Sequence, residues 1–313
     1  MRAVWLGLVM AAVVSMGAQA ASPRPGSLIQ DCPTCPPLIV VPKGAFSMGS
    51  DLIEKMRGNE MRPQGPIRKV TISKPFAVGK YEVTNKEFAA FVAATGYKAP
   101  DACQVWGGVD TVKGKTWQEP DYGRPPADNE PVVCVSWLDA KAYVKWLSDS
   151  TGKPYRLLTE AEWEYAAKGG AKTKWPWGKD AQKACDYANV FDKTGRSDPR
   201  STNDGGAAGA EQAECDDGFA IVAPVGQFKP NRFGLYDMIG NVWEWTEDCS
   251  LNLYPAKPVD GSAVQVDGAC EKRAVRSASW RTRLSRQLPT FRGRDPEPTA
   301  SNIFGFRIAR DVN

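Results

Sequence analysis

Hydrophobic and polar positions alternate in two early stretches of the chain and then shift to helical spacing. Leu38-Ile-Val-Val-Pro-Lys-Gly-Ala-Phe-Ser-Met-Gly49 and Lys69-Val-Thr-Ile-Ser-Lys-Pro-Phe-Ala-Val-Gly-Lys-Tyr-Glu-Val83 are rich in β-branched and aromatic residues and read as strands. Thr84-Asn-Lys-Glu87 has the form of a capping box, and Phe88, Phe91 and Val92 follow on one helical face. Ser136-Trp-Leu-Asp139 opens a second expected helix, with Ala140, Tyr143, Val144 and Leu147 on one side. Thr159-Glu-Ala-Glu162 opens a third, which Gly169-Gly170 should close. Beyond Gly170 the pattern turns loop-rich, and Asn203–Gly209 reads as a flexible surface insertion. No internal repeat and no shift of composition marks a domain boundary.

The N-terminal twenty residues combine Arg2, an apolar run and the exit Ala18-Gln19-Ala20. This pattern predicts a Sec-type signal peptide cut before Ala21. An uncleaved anchor is the rival reading, but the run is short for a membrane span. No Cys sits at the cleavage point, which argues against a lipoprotein, and no later apolar run is long enough to span a membrane. An exported protein, periplasmic or secreted, is therefore expected. Residues 21–37 read as a poorly ordered leader and 38–311 as the folded part.

Composition narrows the partners and the chemistry. Forty Lys and Arg stand against 36 Asp and Glu, a balance too even to suggest a nucleic-acid partner. The 313 residues suffice for one large domain or two small ones, and 24 Pro with 29 Gly point to many turns. Eight cysteines in an exported chain predict disulfides. Their pairing is not fixed by sequence; neighbours in chain order are expected, 32–35, 103–134, 185–215 and 249–270. A redox or zinc reading of Cys32-Pro-Thr-Cys35 competes, without a thioredoxin-like context or a second Cys-x-x-Cys to support it. The chain has no histidine. Ser-His-Asp triads, Cys-His dyads, two-His-one-carboxylate iron sites and the usual catalytic zinc sites are thereby excluded.

The most informative block is Phe233-Gly-Leu-Tyr-Asp-Met-Ile-Gly-Asn-Val-Trp-Glu-Trp245. It interleaves aromatics and glycines with two carboxylates, Asp237 and Glu244, and reads as an irregular loop where carbonyls converge. Hard oxygen donors of this kind suit Ca²⁺.

Further segments lie on either side of this block. They are Gly44-Ala-Phe-Ser-Met-Gly49, Tyr81-Glu-Val-Thr84, Pro131-Val-Val-Cys-Val-Ser-Trp137, Tyr155-Arg-Leu-Leu-Thr-Glu-Ala-Glu-Trp-Glu-Tyr-Ala-Ala167, Trp175-Pro-Trp-Gly178 and Ala188-Asn-Val190, then Pro224-Val225, Ser277-Ala-Ser-Trp280 and Gly305-Phe-Arg307. Together and in this order they resemble the formylglycine-generating enzyme (sulfatase-modifying factor) family over about residues 38–311. The resemblance implies a single α+β domain with little regular secondary structure, related to C-type-lectin-like folds. It also implies one or two structural Ca²⁺ ions. One set would be the Asp237 and Glu244 side chains with the Gly240 and Val242 carbonyls. The other would be Asn189, the Val190 carbonyl, Asp217 and the Phe219 carbonyl, with Asp216-Asp-Gly-Phe219 forming a tight acidic turn.

Enzymes of this family oxidise a Cys on a sulfatase peptide and hold Cu(I) with a Cys-x₄-Cys pair, whose soft thiolates suit that ion. By spacing from Ser277-Ala-Ser-Trp280 the pair falls on Thr282 and Gln287, and no Cys follows Cys270. No copper is expected, since function resides in the site and not in the fold. The remaining groove positions would be Ser279, Trp280, Arg281, Thr282, Arg283, Arg286, Gln287, Arg292, Arg294 and Asn302, although Ser301–Phe306 is one residue longer than the family pattern. This arginine density would suit a peptide or small anionic ligand, or else serve ion pairs with acids such as Asp295 and Glu297. Three functions follow as expectations: a Ca²⁺-stabilised binding or scaffold module without copper chemistry, a periplasmic maturation enzyme with non-copper chemistry as in siderophore chromophore maturation, and a purely structural envelope protein. The sequence leaves the oligomeric state open.

Overall fold

A computed structural model describes residues 1, 23–55, 59, 61–105, 111–198, 212–251 and 258–312. The expected signal peptide and the Asn203–Gly209 insertion lie outside the described residues.

All three expected helices begin where their capping boxes stand. Helix α1 (Asn85–Thr95), α2 (Trp137–Thr151) and α3 (Glu160–Lys168) each carry both reciprocal bonds of the box, on Thr84/Glu87, Ser136/Asp139 and Thr159/Glu162. Each ends on a left-handed glycine, Gly96, Gly152 or Gly169, a conformation that a Cβ would penalise.

Two sheets organise the domain. The larger is antiparallel throughout and runs Leu28–Ile29, Leu38–Val41, Phe76–Gly79, Ile308–Asp311, Tyr155–Leu157, so strands from the two ends of the domain lie in one sheet. The smaller runs Gly293–Asp295, Arg273–Arg276, Trp243–Cys249, Phe304–Phe306, and its last pair is parallel. The buried faces of α1 and α2 meet both sheets in one core that includes Phe88, Phe91, Tyr143, Trp245 and Phe306. Helix α3 covers a second core with Met48, Val70, Trp163 and Leu235. The result is one α+β domain.

Two expectations change. Residues 23–37 are not a poorly ordered leader. Leu28–Ile29 pairs with Leu38–Val41, and Asp31 accepts a hydrogen bond from the Tyr155 hydroxyl at 2.5 Å and pairs with Arg310 at 2.8 Å. The 233–245 block is a loop only up to Val242. Trp243–Trp245 begins a strand, paired in parallel with Phe304–Phe306. Glu244 can be buried near the start of that strand because Arg307 neutralises it, at 2.9 Å with both side chains fully buried.

All eight cysteines are paired, as 32–35, 103–134, 185–215 and 249–270, which is the expected chain order. Among the described residues no helix is long and apolar enough to cross a membrane.

Candidate functional site

Three buried polar clusters hold the residues singled out in the sequence. The first stands where the resemblance places the family's copper-binding thiol pair. After the strand Arg273–Arg276 the chain turns through Ser277 and Ala278, both at positive φ (85° and 120°), and enters a tight turn at Ser279. The Thr282 amide donates to the Ser279 carbonyl at 2.8 Å. The Thr282 hydroxyl oxygen accepts from the Ser279 amide at 3.0 Å and lies 3.0 Å from the Ser279 hydroxyl. Gln287 Nε2 donates to both the Ser279 and Thr282 carbonyls at 2.9 Å. The Gln287 carbonyl in turn accepts from Trp175 Nε1 at 2.5 Å. Neither Thr282 nor Gln287 offers sulfur, and every cysteine is already in a disulfide. These residues do not fit a Cu(I)–thiolate centre.

This buried network, in which Gln287 Oε1 has no partner among the described residues, also revises the expected groove. Ser279, Trp280, Arg281, Thr282, Gln287 and Asn302 are all 2% exposed or less. Asn302 Nδ2 donates to the Pro120 carbonyl at 3.1 Å, its own carbonyl accepts from the Tyr122 hydroxyl at 2.7 Å, and Trp280 packs with Tyr122. These side chains are core, not an open ligand surface. Much of the arginine density is likewise internal. Arg283 and Arg286 both pair with Glu54, Arg283 at 2.5 Å. Arg292 grips Glu160, with Nη2 to Oε2 at 2.6 Å. Arg276, with no exposed surface, bridges Glu160 at 3.1 Å and Glu164 at 2.8 Å. Ion pairing was the expected alternative to ligand binding, but the acids are Glu54, Glu160 and Glu164, far away in sequence. Arg294 is half-buried beside a small surface pocket that it shares with Arg62 and Arg292.

The second cluster gathers Asn189, Val190, Asp217 and Phe219. Asp217 accepts from the Val190 amide and the Phe219 amide, both at 2.8 Å, so its carboxylate closes the acidic turn. Asn189 Nδ2 donates to the Ile221 carbonyl at 2.7 Å, while Asn189 Oδ1 is buried with no partner among the described residues. An unpaired buried acceptor is costly and calls for a donor or a cation. Burial pushes the Asp217 carboxyl up to about 7, with the nearby Asp192 and Asp216 charges adding to it. Asp192, which sequence reasoning missed, accepts from the Asp217 amide at 2.5 Å. Its signal was its place three residues after Asn189. Cys185 adjoins Asp192 and Asp217, but its sulfur is held in the disulfide to Cys215 and is no thiolate ligand. The Asp192 and Asp217 carboxylates lie together, within 4.8 Å, and carboxylate oxygens suit a hard cation.

The third cluster contains Asp237, Gly240, Val242 and Glu244. Asp237 Oδ2 accepts from the Gly226 amide at 2.7 Å, and Oδ1 is buried and unpartnered among the described residues. Burial raises Asp237 to about 6, against the pull of Arg307. Glu244 accepts from Arg307 Nη2 at 2.9 Å and from Trp163 Nε1 at 2.7 Å, so in this cluster Asp237 Oδ1 is the side-chain oxygen left to meet a cation. The Gly240 carbonyl accepts from the Ser277 hydroxyl at 2.9 Å. Glu82, also missed from the sequence, is fully buried here and accepts from Asn241 Nδ2 at 2.9 Å; burial and the Asp237 charge push it well above the usual carboxylate range. The second and third clusters touch. The Asn241 amide donates to the Asn189 carbonyl at 2.9 Å, and a Cβ on Gly240 would lie 2.1 Å from that oxygen, so Gly240 must be glycine.

Known proteins share this sequence and fold. Residues 26–312 match the model of the sulfatase-modifying factor enzyme 1-like domain. The chain is 33% identical to the formylglycine-generating enzyme of Mus musculus, over 92% of this chain and 77% of that protein. It is also 33% identical to the inactive C-alpha-formylglycine-generating enzyme 2 of Bos taurus, over 87% of each. Among solved structures, PvdO from Pseudomonas aeruginosa superposes with a TM-score of 0.74 at 34% identity, covering 93% of this chain and all of that one.

Proposed function

The chain belongs to the sulfatase-modifying factor family, and from that premise we infer an exported, calcium-stabilised binding module that does not carry out copper-dependent formylglycine formation. The observation that carries this reading is the hydrogen-bonded set Ser279, Thr282 and Gln287, standing where the resemblance places the family's thiol pair. Four disulfides fit an oxidising compartment outside the cytoplasm.

Calcium would be held by Asn189 Oδ1, the Val190 and Phe219 carbonyls and Asp217, and a second ion by Asp237 with the Gly240 and Val242 carbonyls. A bound Ca²⁺ would supply the positive charge that the orphaned oxygens Asn189 Oδ1 and Asp237 Oδ1 lack. Its role would be structural, tying the 189–219 segment to the 237–244 segment.

The experiment is incubation of the calcium-loaded protein with a cysteine-containing sulfatase peptide, Cu(I) and oxygen, followed by mass spectrometry. The peptide is expected to stay unconverted while an active formylglycine-generating enzyme converts it in parallel. Catalytic conversion of cysteine to formylglycine would overturn the reading.

A further inference from the structure

A cavity of about 660 Å³ opens between the strand Gly44–Met48 and the C-terminal end of α3. This is the size range of small-molecule sites. It contains no residue of the calcium sets or of the Ser279–Gln287 network.

Phe46 and Tyr165 form an aromatic wall, with ring centroids 5.4 Å apart. Tyr165 is only 6% exposed, and its hydroxyl, which bonds no described residue, is not fully buried but open at the cavity. Gly44 lies against that hydroxyl so closely that a Cβ would sit 2.4 Å from the oxygen. Glycine at this position leaves the phenol room at the cavity wall.

The rim is cationic. Lys69, Lys168 and Lys172 line the cavity, and none of the lining residues is acidic. Lys168 is engaged by Glu164 at 2.8 Å and by the Ser47 carbonyl at 2.5 Å. Lys69 and Lys172 are exposed and have no carboxylate partner among the described residues. Ammonium groups around an aromatic wall favour a ligand with a planar apolar body and a negative charge.

We propose that this cavity is a ligand site and that its ligand class is small aromatic carboxylates. The ring lies against Phe46 and Tyr165, and the carboxylate meets Lys69 and Lys172 and takes the free hydrogen bond of the Tyr165 hydroxyl. The proposal rests on the binding-module reading above and places its site away from the closed 279–302 region.

The test is calorimetric titration of the calcium-loaded full chain with 2-naphthoate and with its neutral counterpart 2-naphthalenemethanol. Naphthoate is expected to bind at one site about tenfold or more tightly than the alcohol. Replacing both exposed lysines, K69A with K172A, is expected to weaken naphthoate about tenfold and leave the alcohol unchanged. Tyr165→Phe keeps the ring and removes the hydroxyl, and should weaken naphthoate several-fold, about what one hydrogen bond to a charged group contributes. Proton resonances of Phe46 and Tyr165 are expected to shift on titration. Equal binding of acid and alcohol, no saturable binding, or indifference to the lysine variants would each overturn the proposal. Those outcomes leave the copper and peptide measurements untouched. Oxidation of the sulfatase peptide would sink the binding-module reading whatever naphthoate does.

Discussion

Gln287 Nε2 donates to the Thr282 carbonyl across 2.9 Å, joining the two positions at which the family resemblance places a copper-binding thiol pair. The same amide holds the Ser279 carbonyl, so one side chain ties the whole turn. Gln287 is fully buried, and truncation would strand the Thr282 carbonyl and leave the Ser279 carbonyl with the Thr282 amide alone. Gln287→Ala is therefore expected to destabilise the protein by about 2–4 kcal/mol, from the unsatisfied Thr282 carbonyl and the void together. Denaturant unfolding with the disulfides intact measures this. A loss below about 0.5 kcal/mol, the range of an ordinary surface change, would show that the amide is not what holds the turn.

Chelation tests the calcium sets. A ligand present at a hundred times its Kd stabilises by about 2.7 kcal/mol, so EGTA should lower the melting temperature and added Ca²⁺ should restore it. Asp217→Asn weakens the oxygen set at 189–219, and its melting temperature is expected to respond less to EGTA than that of the wild type. An identical response in both would remove Asp217 from the calcium ligands.

Arg307 and Glu244 are both fully buried, which makes the pair sensitive to losing one member. Arg307→Met, measured in EGTA, is expected to cost about 3–5 kcal/mol, because Glu244 remains as an uncompensated charge. Adding Glu244→Gln should recover a large part of that loss. If the double variant is no more stable than the single one, the cost arises from packing and not from charge.

Asp295 gives a pH-dependent prediction away from the calcium sets. Burial holds its carboxyl up at about 6, despite attraction from Arg62, Lys272 and Arg294. The unfolded chain has the ordinary value, near 3.8. The fold thus favours the protonated form: its contribution is fully present below the unfolded value and is lost as pH rises through about 6. Asp295→Asn cannot titrate, so its stability relative to the wild type should rise between these two values and stay level above them. A difference that stays flat across the window, in unfolding midpoints taken from pH 4 to 7, would contradict the raised carboxyl.

Local chemistry was legible in the sequence and long-range pairing was not. The boxes Thr84/Glu87, Ser136/Asp139 and Thr159/Glu162 close within four residues, so they can be read without the fold. The disulfides follow chain order, and the likeness to the family could be read from its ordered motifs. Partners of the arginines could not: Arg276 meets Glu160 and Glu164 more than a hundred residues earlier, and Arg283 meets Glu54. Glu82 and Asp192 escaped because a single acid in a strand-like or loop segment looks solvated until other acids are folded against it. The early segment Leu28–Asp31 looked like a leader because its two-residue strand is stable only as an addition to a sheet edge. Thr282 and Gln287 were found by spacing, yet only the fold shows the hydrogen bonds that join them.

The central claim, that the 279–287 turn is a buried structural element without copper chemistry, is tested most directly by a Cu(I) competition titration. The calcium-loaded, disulfide-intact protein is titrated into a Cu(I) complex of a chromophoric chelator, with an active formylglycine-generating enzyme as the positive control. The expected result is no withdrawal of copper at stoichiometric protein. Withdrawal of one Cu(I) per chain, abolished by changing residues of the 279–287 turn, would contradict the account.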